Sequence, residues 1–195
     1  MTIDEAALIK KAQQGDVPAY NRLVLHYQEL AFNVAVRLMK DPQTAEDMTQ
    51  DAFVRAYKSL NKFRGGNFKA WLLRIVTNRC YDELRRHKRR PQTSIDEVTE
   101  DHEGVAFMVS DNEGPEAHQQ RMELAAAVES CLDTLPEEQR LAAILCDIED
   151  HDYNEMAEIM NVSLGTVKSR ISRARSKLRD CLQGFAELLP ASYRL

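Results

Sequence analysis

Apolar residues recur along this chain at the three- and four-residue spacing of helices, and no stretch shows the strict alternation of a strand. Over residues 17–40, Tyr20, Leu23, Val24, Tyr27, Leu30 and Val34 line one helical stripe, after a shorter helix that ends near Gly15. Asp41-Pro42 then reads as a helix start: the carboxylate can accept from first-turn amides, and proline's fixed φ suits the first helical position. The helix that follows carries Ala45, Thr49, Ala52, Phe53, Ala56 and Leu60 on its inner face. A Gly-Gly loop between Phe63 and Phe68 leads into a fourth helix running to about Lys88, with Phe68, Leu72, Ile75 and Val76 inward. Periodicity stops from Gln92 to about His118, where Gly104, Gly114 and Pro115 interrupt any helix. It resumes with Leu124, Val128, Cys131, Leu132 and Leu135, and again after Pro136 with Leu141, Ile144, Leu145 and Ile148.

The last segment, residues 153–179, reads as a short helix, a three-residue turn at Asn161-Val162-Ser163 and a long basic helix. Asp152 and Glu155 have the spacing of a capping box for the first, and Ser163 can cap the second. The expected fold is therefore all-α: two small helical domains, residues 1–91 and 121–189, joined by a flexible linker over 92–120. A content of 44% hydrophobic residues with only seven Gly and six Pro agrees with helical, core-forming domains.

Charge sharpens this division. The linker holds eight acids (Asp96, Glu97, Glu100, Asp101, Glu103, Asp111, Glu113, Glu116) and no Lys or Arg, which by itself exceeds the chain's net charge of −5. The cations gather instead in two clusters, one at the end of each domain. Cys80, Cys131, Cys146 and Cys181 form no CxxC pair and follow no apolar leader, so the expectation is a reducing cytoplasm and buried, inert thiols. The five His residues show no metal-ligand spacing, and no apolar run approaches the roughly 20 residues that span a bilayer. No metal, cofactor or membrane insertion is expected.

On the long basic helix, Val167, Ile171, Ala174 and Leu178 form the buried stripe, and Lys168, Ser169, Ser172, Arg173 and Ser176 project opposite. Small donors and long cations with no apolar residue among them suit a DNA major groove, where short side chains permit close approach and Arg or Lys reaches guanine. Six cations lie between Lys168 and Arg179 with no acid. Arg170 borders the apolar stripe and is expected to pair with an acid of its own domain. On the fourth helix, Arg74, Asn78, Tyr81, Arg85 and Lys88 recur at helical spacing, a cationic ladder carrying an amide and an aromatic. Such a face suits unpaired nucleic acid, since aromatics stack on exposed bases and cations follow the backbone. Arg79 falls on the apolar side of that helix and should pair with a carboxylate. On the third helix, Val54 sits among the outward Asp47, Gln50, Asp51 and Lys58.

The segments AEDMTQDAFVRAYKSLNKF and FKAWLLRIVTNRCYDELRR resemble region two of the extracytoplasmic-function sigma factors, the small two-domain class of bacterial RNA polymerase specificity subunits. LDTLPEEQRLAAILCDIEDHDYNEMAEIMNVSLGTVKSRISRARSKLR resembles their region four. The resemblance spans almost the whole chain. It implies that Asp47, Gln50, Asp51 and Val54 dock core RNA polymerase on the beta-prime coiled coil, with the beta subunit a further contact. It also implies that Phe63, Arg64, Asn67, Phe68, Trp71, Arg74, Asn78 and Tyr81 bind the minus-ten element as it melts, with a flipped base held in a pocket. The minus-thirty-five element would fall to Ser163, Gly165, Thr166, Lys168, Ser169, Ser172, Arg173 and Arg175, with Thr166 and Arg175 near phosphates. The acidic linker would pass through the active-site cleft and RNA exit channel. An anti-sigma factor is the regulator the family implies, and a stress or envelope regulon its output. The alternative reading is a conventional helix-turn-helix regulator that binds duplex DNA unaided. An enzyme is not expected, because no phosphate loop, nucleophile motif or catalytic carboxylate pair is present.

Overall fold

The computed structural model describes residues 3–89 and 115–189, and among these every regular element is a helix. Contacts divide the chain into two units, one comprising residues 1–93 with Asn154–Val162 and the other residues 94–153 with 163–195. No described helix is long and apolar enough to cross a membrane.

The first unit packs α1 (Glu5–Gln13), α2 (Val17–Met39), α3 (Pro42–Ser59) and α4 (Phe68–Arg89). Asp4, Asp16 and Asp41 cap the first three, each accepting from the amide three residues on, and proline occupies the first turn of α2 and α3. Lys40 ends α2 in the left-handed conformation at φ 66°, its N–H bonded to the Val36 carbonyl at 2.8 Å. All six residues expected on the inner face of α3 are buried. Thr49 satisfies its hydroxyl there by donating to the Ala45 carbonyl at 2.7 Å. The Tyr20 hydroxyl donates to the Phe53 carbonyl at 2.6 Å, fastening α2 to α3, and burial pushes its pKa up.

In the second unit α5 (Pro115–Asp133), α6 (Glu137–Ala143) and α8 (Leu164–Leu182) surround Leu132, Leu135, Ala143 and Ala174, with Val128, Ile148 and Leu178 packed against them. A single π-helical turn, Ile144–Ile148, continues α6, so Glu149 N–H bonds back to the Ile144 carbonyl at 3.0 Å. In sequence α8 follows α7 (Tyr153–Met160), which from Asn154 on is counted with the first unit, and Asn161 stands at φ 53° in the three residues between them. The helix, short turn and long helix expected from the sequence are thus all present.

Two expectations need correction. Pro115 does not interrupt a helix but opens α5, as a residue without an N–H can at a first turn, so that 115–120 of the expected linker are helical; residues 92–114 of it lie outside the described residues. Cys131 and Cys181 are not inert thiols: they are joined in a disulfide across 50 residues of sequence. Cysteines that meet only through tertiary packing leave no local spacing signal.

Candidate nucleic-acid interface

The loop before α4 is built by three local devices. Gln13, on α1, donates from Nε2 to the Leu60 and Phe63 carbonyls at 3.1 and 2.9 Å, holding the backbone that leads into the loop. Gly65 and Gly66 then adopt φ 96° and 98°, a region that side chains rarely enter. Asn67 caps the next helix, its Oδ1 accepting from the Ala70 N–H at 3.0 Å.

Beyond the loop, α4 presents Arg74, Asn78, Arg85 and Lys88 to solvent and leaves Tyr81 half-buried beside them, as the spacing predicts. Arg64 is exposed in the loop. Phe63, Phe68 and Trp71 form an aromatic cluster with ring centroids 5.3 to 5.5 Å apart, extended by Tyr27 at 5.7 Å from Phe68. Phe68 is only 1% exposed and Phe63 is buried, so both serve the core of the first unit and Trp71 alone of the three keeps a half-open face. Phe68 follows the apolar stripe of α4, its ring buried beside three other aromatics.

Arg79 is held from two sides: its Nε donates to Asp51 Oδ2 at 2.5 Å, and Nη1 lies 3.7 Å from Asp82 Oδ2. The expected carboxylate is therefore one of the acids on the outer face of α3. Asp51 also accepts from Arg55 Nε at 3.1 Å, and Gln50 donates to Glu46 at 3.0 Å. Asp47 is exposed, and Val54 keeps 50% of its surface open. Tyr57, three residues on and 37% exposed, extends this apolar spot; its spacing from Val54 was visible in the sequence, but its aromatic ring reads equally as core.

The face of α8 is ordered by the same logic. Ser163 Oγ accepts from the Thr166 N–H at 3.2 Å, and Gly165 is exposed beside it. Val167, Ile171 and Ala174 are buried, while Lys168, Ser172, Arg173 and Ser176 are exposed and Ser169 is half-buried. Arg170 pairs with Glu138 of α6, the acid of its own unit that the stripe demanded. Arg175, expected near a phosphate, has a partner within its own unit: Nε donates to both Asp147 oxygens at 3.2 and 3.3 Å, and Nη2 approaches Cys146 Sγ at 3.5 Å. The Asp147 carboxylate holds the guanidinium charged and pushes its pKa up. Nothing in sequence spacing links residues 147 and 175. A guanidinium gripped on one edge keeps its remaining donors available in a fixed orientation, and half of the Arg175 side chain stays exposed. Tyr153, Lys168, Ser172, Arg175, Ser176 and Arg179 line a shallow cationic depression along this helix. Among the described residues no cluster could hold a metal ion.

Two stretches match family models, Sigma-70 region 2 over residues 23–90 and Sigma-70, region 4 over residues 125–178. The chain is 38% identical over 179 residues to the RNA polymerase sigma-H factor of Pseudomonas aeruginosa, covering 90% of this chain and 92% of that protein. It is 37% identical over 169 residues to the ECF RNA polymerase sigma factor SigE of Mycolicibacterium smegmatis, covering 87% of this chain but 63% of that longer protein. Among solved structures it is similar to the sigma factor RpoE of Bartonella quintana in its complex with the anti-sigma factor NepR, with a TM-score of 0.63 and 27% identity. That likeness covers 84% of this chain and 96% of the other.

Proposed function

This chain belongs to the extracytoplasmic-function sigma factors, and we propose that its two units divide promoter recognition between them on core RNA polymerase. It is an alternative sigma factor. In the reading we put forward, Asp47, Gln50, Val54 and Tyr57 on α3 form the docking face for polymerase, with Asp51 supporting it from the Arg79 pair. Arg64, Asn67, Trp71, Arg74, Asn78 and Tyr81 engage the melted minus-ten element, while Phe63 and Phe68 back Trp71 from inside. On α8, Lys168, Ser169, Ser172 and Arg173 read bases of the minus-thirty-five element, and Ser163, Gly165, Thr166 and Arg175 contact its backbone.

The observation that carries this reading is the separation of two chemically different faces onto two units. α4 offers cations alternating with an amide and an aromatic, suited to exposed bases, whereas α8 offers small hydroxyls between cations, suited to a duplex groove. A conventional regulator has use for the second face and none for the first. The protein acts in the bacterial cytoplasm without catalysing a reaction of its own. The complex of the similar RpoE with NepR supports an anti-sigma factor as its regulator.

Run-off transcription with purified core polymerase tests this directly. The full chain should direct a specific transcript from a promoter bearing both elements. Arg173→Ala should lower output in a way that depends on one position of the minus-thirty-five element, by about 1–3 kcal/mol in discrimination. Equal loss on every minus-thirty-five variant would remove Arg173 from base reading.

A further inference from the structure

We propose that Cys131 and Cys181 are a reversible thiol–disulfide site, closed by peroxide-class oxidants and reopened by small-molecule thiols, whose state sets the stability of the second unit. The two sulfurs are bonded between α5 and α8, and their Cα atoms stand 5.7 Å apart, within the range of bridged cysteines. The site is built asymmetrically. Cys131 is fully buried, next to the Leu132 of the core cluster, while Cys181 is half-exposed in the last turn of α8. An oxidant or a reducing thiol therefore reaches Cys181 first, and Cys131 waits behind it as the resolving partner.

Closure runs in two steps. The Cys181 thiolate attacks a peroxide oxygen, breaking the O–O bond and leaving a sulfenic acid, with the displaced hydroxide taking up a proton as water. The Cys131 thiolate then attacks the Cys181 sulfur and expels a second hydroxide, which leaves as water. Overall two thiols and one hydrogen peroxide give one disulfide and two waters. An external thiolate reverses this by attacking Cys181, forming a mixed disulfide that a second thiol resolves.

The consequence follows from where the link lies. Beside it, α5 and α8 share the apolar cluster of Leu132, Leu135, Ala143 and Ala174. The bond closes a 50-residue loop and removes much of the freedom of the unfolded chain. Cys80, buried in the first unit, supplies an internal control. The site stands on the second unit's own geometry and is independent of what α8 reads.

The test uses the full chain, reduced with dithiothreitol and then exposed to hydrogen peroxide, with peptide mapping under non-reducing conditions and a thermal melt of each form. A peptide pair joined through Cys131 and Cys181, two hydrogen masses lighter than its parts and abolished by dithiothreitol, is expected. The oxidised form should melt about 10 °C or more above the reduced one in its second-unit transition. Cys181→Ser and Cys181→Ala should lose both the link and the shift. Sulfinic or sulfonic acid on Cys181 without the joined peptides overturns the proposal. So does a link that resists dithiothreitol in the folded chain, and so does a link that leaves the melt unchanged.

Discussion

Arg79 on α4 donates to Asp51 on α3 at 2.5 Å, joining the helix that carries the candidate base-binding ladder to the helix that carries the candidate polymerase-docking face. The Arg79 side chain is only 16% exposed, so its charge depends on that carboxylate more than a surface pair would. Asp51 thus belongs to the internal scaffold even though it lies among outward acids.

Asp51→Asn keeps the side chain's shape and removes the charge Arg79 faces. It should destabilise the first unit by about 1–2 kcal/mol, with allowance for the solvent that still reaches Asp51. Asp47→Asn, on the exposed side, should change stability by less than about 0.5 kcal/mol. Urea denaturation of the two variants checks the contrast. Equal effects would show that the Asp51 pair contributes nothing.

The loop before α4 makes a separate demand. At φ 96° and 98° a Cβ on Gly65 or Gly66 strains the backbone although open space surrounds both positions, so Ala at either should cost about 1 kcal/mol or more. Ala at Gly184, which has equally open space and no such φ, should cost nothing of that kind. Matched denaturation curves measure the difference.

Ser163 joins two roles that substitution can separate. Ser163→Ala removes the cap of α8 and should cost about 1 kcal/mol in the second unit. Ser163→Asp restores a cap oxygen and hence stability, but sets a negative charge where a phosphate would approach. It should leave the melt near wild type while weakening promoter binding. Recovery of both together would separate Ser163 from DNA.

Burial pushes the Cys80 thiol up to about 12, well above its ordinary value. A group raised in this way favours the protonated, folded form. Its contribution is complete below the ordinary thiol pKa of about 8.5 and is lost as pH rises from there toward 12. First-unit stability should therefore fall with alkaline pH more steeply in wild type than in Cys80→Ala. At pH 8 iodoacetamide should modify the half-exposed Cys146 in the native chain and reach Cys80 only on unfolding; simultaneous labelling would contradict this placement.

Much of this arrangement was legible in the sequence because helical periodicity and caps are local. The inner face of α3, the buried stripe of α8 and the Ser163 cap all follow from spacings of three and four. Partners implied by burial were legible in kind: Arg79 and Arg170 each had to find an acid, and Asp51 and Glu138 are those acids. What could not be read was identity across long separations. Asp147 meets Arg175 and Cys131 meets Cys181 only because α6 and α5 fold against α8, and no periodicity encodes such pairs. Phe68 was ambiguous for another reason, since an aromatic at the border of a loop and a helix has the same local pattern whether it packs inward or stacks outward.

As a sigma factor this chain should recognise promoters as a subunit of RNA polymerase and not alone. Equilibrium binding of a fluorescent promoter duplex by the purified chain, with and without core polymerase, measures it most directly, with the exposed Val54→Arg variant alongside. Tight, sequence-specific binding is expected only when core is present, and is lost in Val54→Arg although that variant folds. Equally tight and specific binding by the chain alone, indifferent to core and to Val54, would contradict it.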